Sequence, residues 1–343
     1  MSHQRHAGTL IVPIFIPNQG CPHRCVYCRQ EDITGMGRRV PGPSEVRETL
    51  GMAVRSPRFA SSLDREIAFY GGTFTGLSLD SMEVLLGAAF PWVGDGSFRC
   101  VRVSTRPDAL DEERLSLMRR HGVATVELGV QSLHDDVLLK TRRGYLSGDV
   151  EKAVAMLRQF GFRVGVQLMP GLPGDSHARF IETVKRAVGL GPDLVRLYPT
   201  VVLRDTVLAG WYRRGSYRPL SLDDAVDLCT EACIRFESRG IPVIRIGLLA
   251  PDDLVADGGV LAGPWHPAFG FLVRSAVYHR ELWRLIPEGA KAVRIRVHSR
   301  DVSLVRGYRN QGLVALAENA GIAMPEIVAD DTLCPRSPVV ETA

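Results

Sequence analysis

The chain has 343 residues, a formal net charge of +4, and 45% hydrophobic and 23% charged residues. These are ordinary globular values, in more chain than one average domain of about 150 residues. No apolar run approaches the roughly 20 residues of a membrane span, residues 1–8 are polar without a signal-peptide segment, and the seven scattered cysteines form no disulfide framework, so a reducing, cytoplasmic setting is expected.

The mild positive charge suits nucleic acid without requiring it. Only four of the 42 basic residues are lysines, an arginine excess that genome composition produces as readily as phosphate binding does.

In chain order, β-rich runs at 10–16, 66–70, 99–104, 125–130, 163–168 and 194–197 alternate with amphipathic helical stretches at 44–55, 80–90, 111–121, 149–160 and 176–188. That alternation predicts βα units on a parallel sheet. Asp80, three residues before Glu83, and Asp111, ahead of an acidic first turn, read as helix caps, and Gly122 and Gly161 as helix stops. Six units in a row predict an α/β fold, a partial (β/α)6 barrel, extended by a helix at 222–239 and a strand at 241–246. Residues 250–270, rich in Gly, Pro and Asp, read as a long loop. A helix at 271–285, a strand at 292–298 and a helix at 311–320 follow. The resulting division is a core barrel with the start of the extension over 8–247, a C-terminal α/β extension over 248–324, and a flexible tail over 325–343.

Cys21, Cys25 and Cys28 stand directly after the first strand at C-x3-C-x2-C spacing. Thiolates this close can wrap one metal centre, because short spacers let the backbone curl around it. Soft sulfur selects iron–sulfur clusters or zinc. A cubane held by three cysteines has one iron without a protein ligand. A Cys3His zinc site using His23 is a second reading, and three ordinary reduced cysteines a third. Zinc ligands usually come as two separated pairs, which this segment lacks.

C-x3-C-x-aromatic-C after a first strand resembles the signature of the radical S-adenosylmethionine (SAM) superfamily. The resemblance implies a [4Fe–4S] cluster whose open iron chelates the amino and carboxylate groups of SAM. It also implies reductive cleavage of SAM to a 5′-deoxyadenosyl radical, with an electron donor such as a flavodoxin or ferredoxin as partner. The protein's part is then binding, orientation and shielding.

Further motifs fall at the ends of successive strands, where such a barrel builds its site. Gly71-Gly72-Thr73 resembles the superfamily's Gly-Gly motif, whose backbone receives the SAM amino group. A missing Cβ lets backbone approach a ligand. Ser104 stands where coproporphyrinogen oxidases and their relatives often carry Glu. By resemblance Gln131 faces the ribose and Arg143 the SAM carboxylate, a charge-assisted pair. Gln167-Leu-Met-Pro-Gly171-Leu-Pro-Gly174 matches an x-L-x-x-G-L-P-G element, with Gln167 in place of a common Asp and Gly171 beside the adenosine. Tyr27 is expected to stack near adenine. No catalytic residue beyond the cluster is assigned.

With Arg196-Leu-Tyr-Pro-Thr200-x3-Arg204-Asp-Thr206, these motifs most resemble the radical SAM module of the Elongator catalytic subunit family, over about residues 8–247. That family modifies the tRNA wobble uridine with acetyl-coenzyme A and a separate acetyltransferase domain, so tRNA is the implied substrate. The chain is short for that domain and shows no Gly-rich acetyl-CoA loop after Gly247. A porphyrinogen oxidase-like enzyme and a non-catalytic iron–sulfur or zinc binding protein are the competing readings. The segment 258–269, with Trp265, His266 and Phe269, is outside the likeness; it either lines the barrel mouth or caps the barrel. Cys229 and Cys233, one helical turn apart, read as small core residues.

Overall fold

The computed structural model describes residues 9–22, 24–30, 39–248 and 258–342. Eight strands come first: β1 (Leu10–Phe15), β2 (Arg65–Tyr70), β3 (Cys100–Thr105), β4 (Val123–Gln131), β5 (Arg163–Leu168), β6 (Leu194–Leu197), β7 (Val202–Leu203) and β8 (Val243–Ile246). All but β7 join one sheet in the order β1-β2-β3-β4-β5-β6-β8, and every neighbouring pair is parallel. Spatial order that follows chain order comes from repeated crossovers of one hand, and it curls the sheet into a half-barrel. The run expected at 241–246 is its seventh strand.

The strands are buried on both faces, as a parallel sheet flanked by crossover helices requires. On β2 every residue from Glu66 to Phe69 is buried. A single core runs from Leu10 and Ile14 through Val103, Val126 and Val166 to Val243. Helix Leu79–Ala89 is capped by Ser78, which accepts from Ser81 N, and Asp80 sits in the first turn. Asp111 caps helix Glu112–Arg120, accepting from Arg114 N at 2.8 Å. No helix among the described residues is long and apolar enough to cross a membrane.

Two stretches differ from expectation. The loop expected over 250–270 contains β9 (Val260–Ala262), antiparallel to β7, and the start of helix Phe269–Leu285; residues 249–257 lie outside the described residues. Gly258 and Gly263, at φ +65° and +106°, flank β9, whose three apolar side chains cover Val202 and Leu203. So short a strand exists through that pairing alone.

The stretch 325–343, expected to be a flexible tail, contributes two strands to a second sheet. There β10 (Val293–Val297) is flanked by β11 (Glu326–Ala329), parallel, and β12 (Val339–Thr342), antiparallel. Ile327 and Val340 pack on a second core of Val293, Ile295 and Leu316. Four-residue strands set between Pro, Asp and Arg carry too short a pattern to read alone. Helix Phe269–Leu285 joins the cores: Phe269 and Val273 belong to the barrel, Tyr278 and Leu282 to the second.

Candidate active site

The cysteine loop leaves β1 and lies against the loop that follows β2. Thr73 N donates to Gln19 O and Asn18 N to Gly71 O, both at 2.8 Å. The approach admits only glycine. A Cβ on Gly20 would fall 2.1 Å from Thr73 O, on Gly72 2.5 Å from Gln19 O and Ile16 O, and on Gly76 2.2 Å from Gly20 O. Gly72 thus serves the contact of two backbones, and Gly20 and Gly76, which no motif singled out, serve the same contact. On its other side Val26 fastens the loop, its N–H donating to Thr141 O at 3.2 Å and its carbonyl accepting from Leu208 N at 2.8 Å.

The three thiols have different neighbours. Cys21 Sγ is 3.2 Å from Thr73 Oγ1, and Cys28 Sγ is 3.8 Å from Asn18 Oδ1. Cys25 is buried, and Arg143 Nη1 donates to its Sγ at 2.9 Å. Among the described residues no three Cys, His, Asp or Glu side chains converge on the position of one metal ion. A cubane does not ask for that, because each thiol takes a different iron. Three soft donors on one short loop therefore fit a [4Fe–4S] cluster. His23, which the zinc alternative needs, lies outside the described residues.

Arg143 reaches the loop from a turn after helix Asp135–Lys140, in which Arg142 and Gly144 hold φ of +57° and +77°. Its Nε donates to Tyr145 OH at 2.9 Å, Nη2 to Gly129 O at 2.8 Å, and Nη1 also to Tyr27 OH at 3.3 Å. Tyr145 OH donates in turn to Gly129 O. Burial pushes the Tyr27 and Tyr145 phenols up, against the opposing pull of Arg143, so both remain neutral. Tyr27 also packs against Val202 and Leu208, in one apolar cluster with Leu261 and Ala262. Part of the segment 258–269 is thereby a wall beside the cysteine loop.

Gln131 ends β4 at φ +66°, and its Oε1 accepts from Gln167 Nε2 at 3.2 Å. Ser104 is half-buried on β3. Gly171 follows β5 at φ +80°; Tyr217 OH donates to its carbonyl at 2.6 Å, and a Cβ there would lie 2.8 Å from Leu220. The structure thus joins Cys21 to Thr73, Cys25 and Tyr27 each to Arg143, and Gln131 to Gln167, while Ser104 and Gly171 stand at the ends of β3 and β5. Beyond Gly171, desolvation raises the Asp175 carboxyl to about 6.

Inside the half-barrel a charged network joins four strands. Glu127 pairs with Arg102 and Arg196, each at 2.8 Å, and accepts from Tyr70 OH at 2.9 Å. Arg102 and Arg99 both pair with Glu66.

The family model of the radical SAM superfamily matches residues 15–187, and that of the Radical_SAM C-terminal domain matches 192–279. A tRNA uridine(34) acetyltransferase of Methanocaldococcus infernus is 33% identical over 290 residues, covering 74% of this chain and 54% of that protein. Elongator complex protein 3 of Mus musculus is 30% identical over 343 residues, covering 88% of this chain and 62% of that one. The chain spans about half the length of the first of these curated relatives. The solved structure of Methanocaldococcus infernus Elp3 with an N-terminal deletion superimposes with a TM-score of 0.61 at 22% identity, covering 80% of this chain and 64% of that one, and shares the fold.

Proposed function

The chain belongs to the radical SAM superfamily, whose enzymes use a [4Fe–4S] cluster and SAM, and from that premise we propose that it modifies a tRNA uridine at a site built on the cysteine loop. In this reading Cys21, Cys25 and Cys28 hold the cluster. Tyr27, Gly71, Gly72, Thr73, Ser104, Gln131, Arg143, Gln167 and Gly171 form the surrounding rim. When bound, the cluster and SAM supply one-electron cleavage of a sulfonium C–S bond.

The residues of the chain do the positioning. The Gly72 and Gly76 contacts hold the cysteine loop on the β2 loop, and Thr73 meets Cys21. Tyr27, Val202 and Leu208 form an apolar flank on one side of the loop. The Gln131–Gln167 amide pair offers neutral donors and acceptors suited to hydroxyls. Relatives named as tRNA uridine(34) acetyltransferases support tRNA as the substrate, and the net charge of +4 is compatible with it. A one-electron donor of the flavodoxin or ferredoxin class and a cytoplasmic setting complete the proposal.

The observation that carries this reading is that the cysteine loop is joined to the motif segments after both β2 and β4, through Thr73 and Arg143. Anaerobic reconstitution tests it. A brown protein that forms 5′-deoxyadenosine from SAM with a reductant is expected, and Cys25→Ala abolishes colour and product together. A colourless protein holding one zinc overturns the class of site. Deletion of the gene is expected to remove a modified nucleoside from digested tRNA by mass spectrometry; an unchanged nucleoside profile overturns the substrate.

A further inference from the structure

Resting on the cluster assignment above, we propose that Arg143 is a positioning residue that sets the reduction potential of the cluster through Cys25. A guanidinium has five N–H donors in a rigid plane. Here four acceptors of the protein itself face them: Tyr145 OH, Cys25 Sγ, Tyr27 OH and Gly129 O. Nη1 is divided between a sulfur and a phenol, while Nε and Nη2 are directed at Tyr145 and Gly129. Arg143 is also only 7% exposed, so its charge acts on what it touches with little screening by water.

What it touches is a ligand sulfur. Reduction adds one electron, drawn from the external donor, to a cluster whose charge is shared with its thiolates. A cation and an N–H donor at Cys25 Sγ stabilise the more negative state, so they raise the potential. No bond forms or breaks and no proton moves in this step. The Tyr145–Gly129 anchor aims the guanidinium at sulfur before any substrate is present.

The test uses the full chain, anaerobically reconstituted, without SAM, in a potentiometric titration followed by electron paramagnetic resonance. Arg143→Met keeps the stem and removes charge and donors. Its midpoint is expected to fall, making reduction about tenfold less favourable, which is about 59 mV for one electron. Arg143→Lys, which keeps the charge without the fork, is expected to fall between. A Met variant with the parent's midpoint overturns the proposal, and weakened SAM binding at that unmoved midpoint returns Arg143 to the SAM carboxylate. If the Met variant loads no iron, the Lys variant decides: a lowered midpoint supports the role and an unmoved one overturns it. A parent that shows no [4Fe–4S] signal refutes the cluster assignment itself, whereas a loaded parent and variant with equal midpoints refute only the role of Arg143.

Discussion

Glu127 on β4 and Arg196 on β6 form an ion pair at 2.8 Å across the intervening strand β5. Gly165 of β5 pairs with Glu127 in register and makes the crossing possible: a Cβ there would lie 3.0 Å from Glu127 Cγ and 2.6 Å from Leu194 Cδ1. Glu127 also holds Arg102 and Tyr70, so one carboxylate ties β2, β3, β4 and β6 together inside the half-barrel.

Glu127→Ala should therefore be costly. It leaves Arg196, largely buried, without its carboxylate and the buried Arg102 with Glu66 alone. Breaking a buried pair in this way costs about 3–5 kcal/mol. Urea denaturation of the variant measures it, and a midpoint equal to the parent's counts against the network as a structural element.

Gly165→Val should destabilise by about 1–3 kcal/mol, because a Cβ and two methyl groups enter filled space. Part of that clash is with Glu127 itself, so the double variant with Glu127→Ala should lose less than the sum of the singles. Strict additivity in the same denaturation experiment would show that the two side chains do not share the space.

Gly76→Ala should lower iron loading without unfolding the barrel. Its Cβ meets Gly20 O, a backbone atom that cannot rotate away, so the cysteine loop must shift from the β2 loop. Iron per chain after reconstitution should drop well below the parent's while the far-ultraviolet circular dichroism stays the same. Full iron loading would show that the loop tolerates the displacement.

Asp175 should make stability depend on pH in the mildly acidic range. Its folded value of about 6 lies above the ordinary 3.8, because burial penalises the charged form. The folded state therefore binds this proton more tightly than the unfolded state, and stability falls as pH rises from about 4 to about 6. The penalty above that window is on the order of 3 kcal/mol. Asp175→Asn, which keeps an acceptor for Ser176 N, should match the parent below pH 4 and exceed it above pH 6, both pH limits taken from the folded and ordinary values. Parallel pH profiles for the two proteins would remove Asp175 as the cause.

The alternation of β runs and amphipathic helices, and the motif at each strand end, were readable in the chain because each is local. A strand of six to nine residues shows its own pattern, and C-x3-C-x2-C needs only eight residues. Helix starts were less sharp: Ser78 and Asp80 are both good caps, and only the backbone path selects Ser78. The strands β9, β11 and β12 are not legible in the chain because three or four residues set among Gly, Pro and Asp hold no period; their partners β7 and β10 make them strands.

What the amino-acid order determined by itself was a βα half-barrel carrying a thiol-rich loop and a ring of glycine-, glutamine- and arginine-bearing turns at its strand ends. Tertiary structure alone decided how those parts touch. Arg143 meets Cys25 across 118 positions of chain, and Gly20 meets Gly76 because two loops from neighbouring strands share one backbone-to-backbone contact. Glu127 reaches Arg196 because β5 brings a glycine to the one place where a side chain must pass. Such contacts depend on the distance between elements in space, which no spacing along the chain encodes.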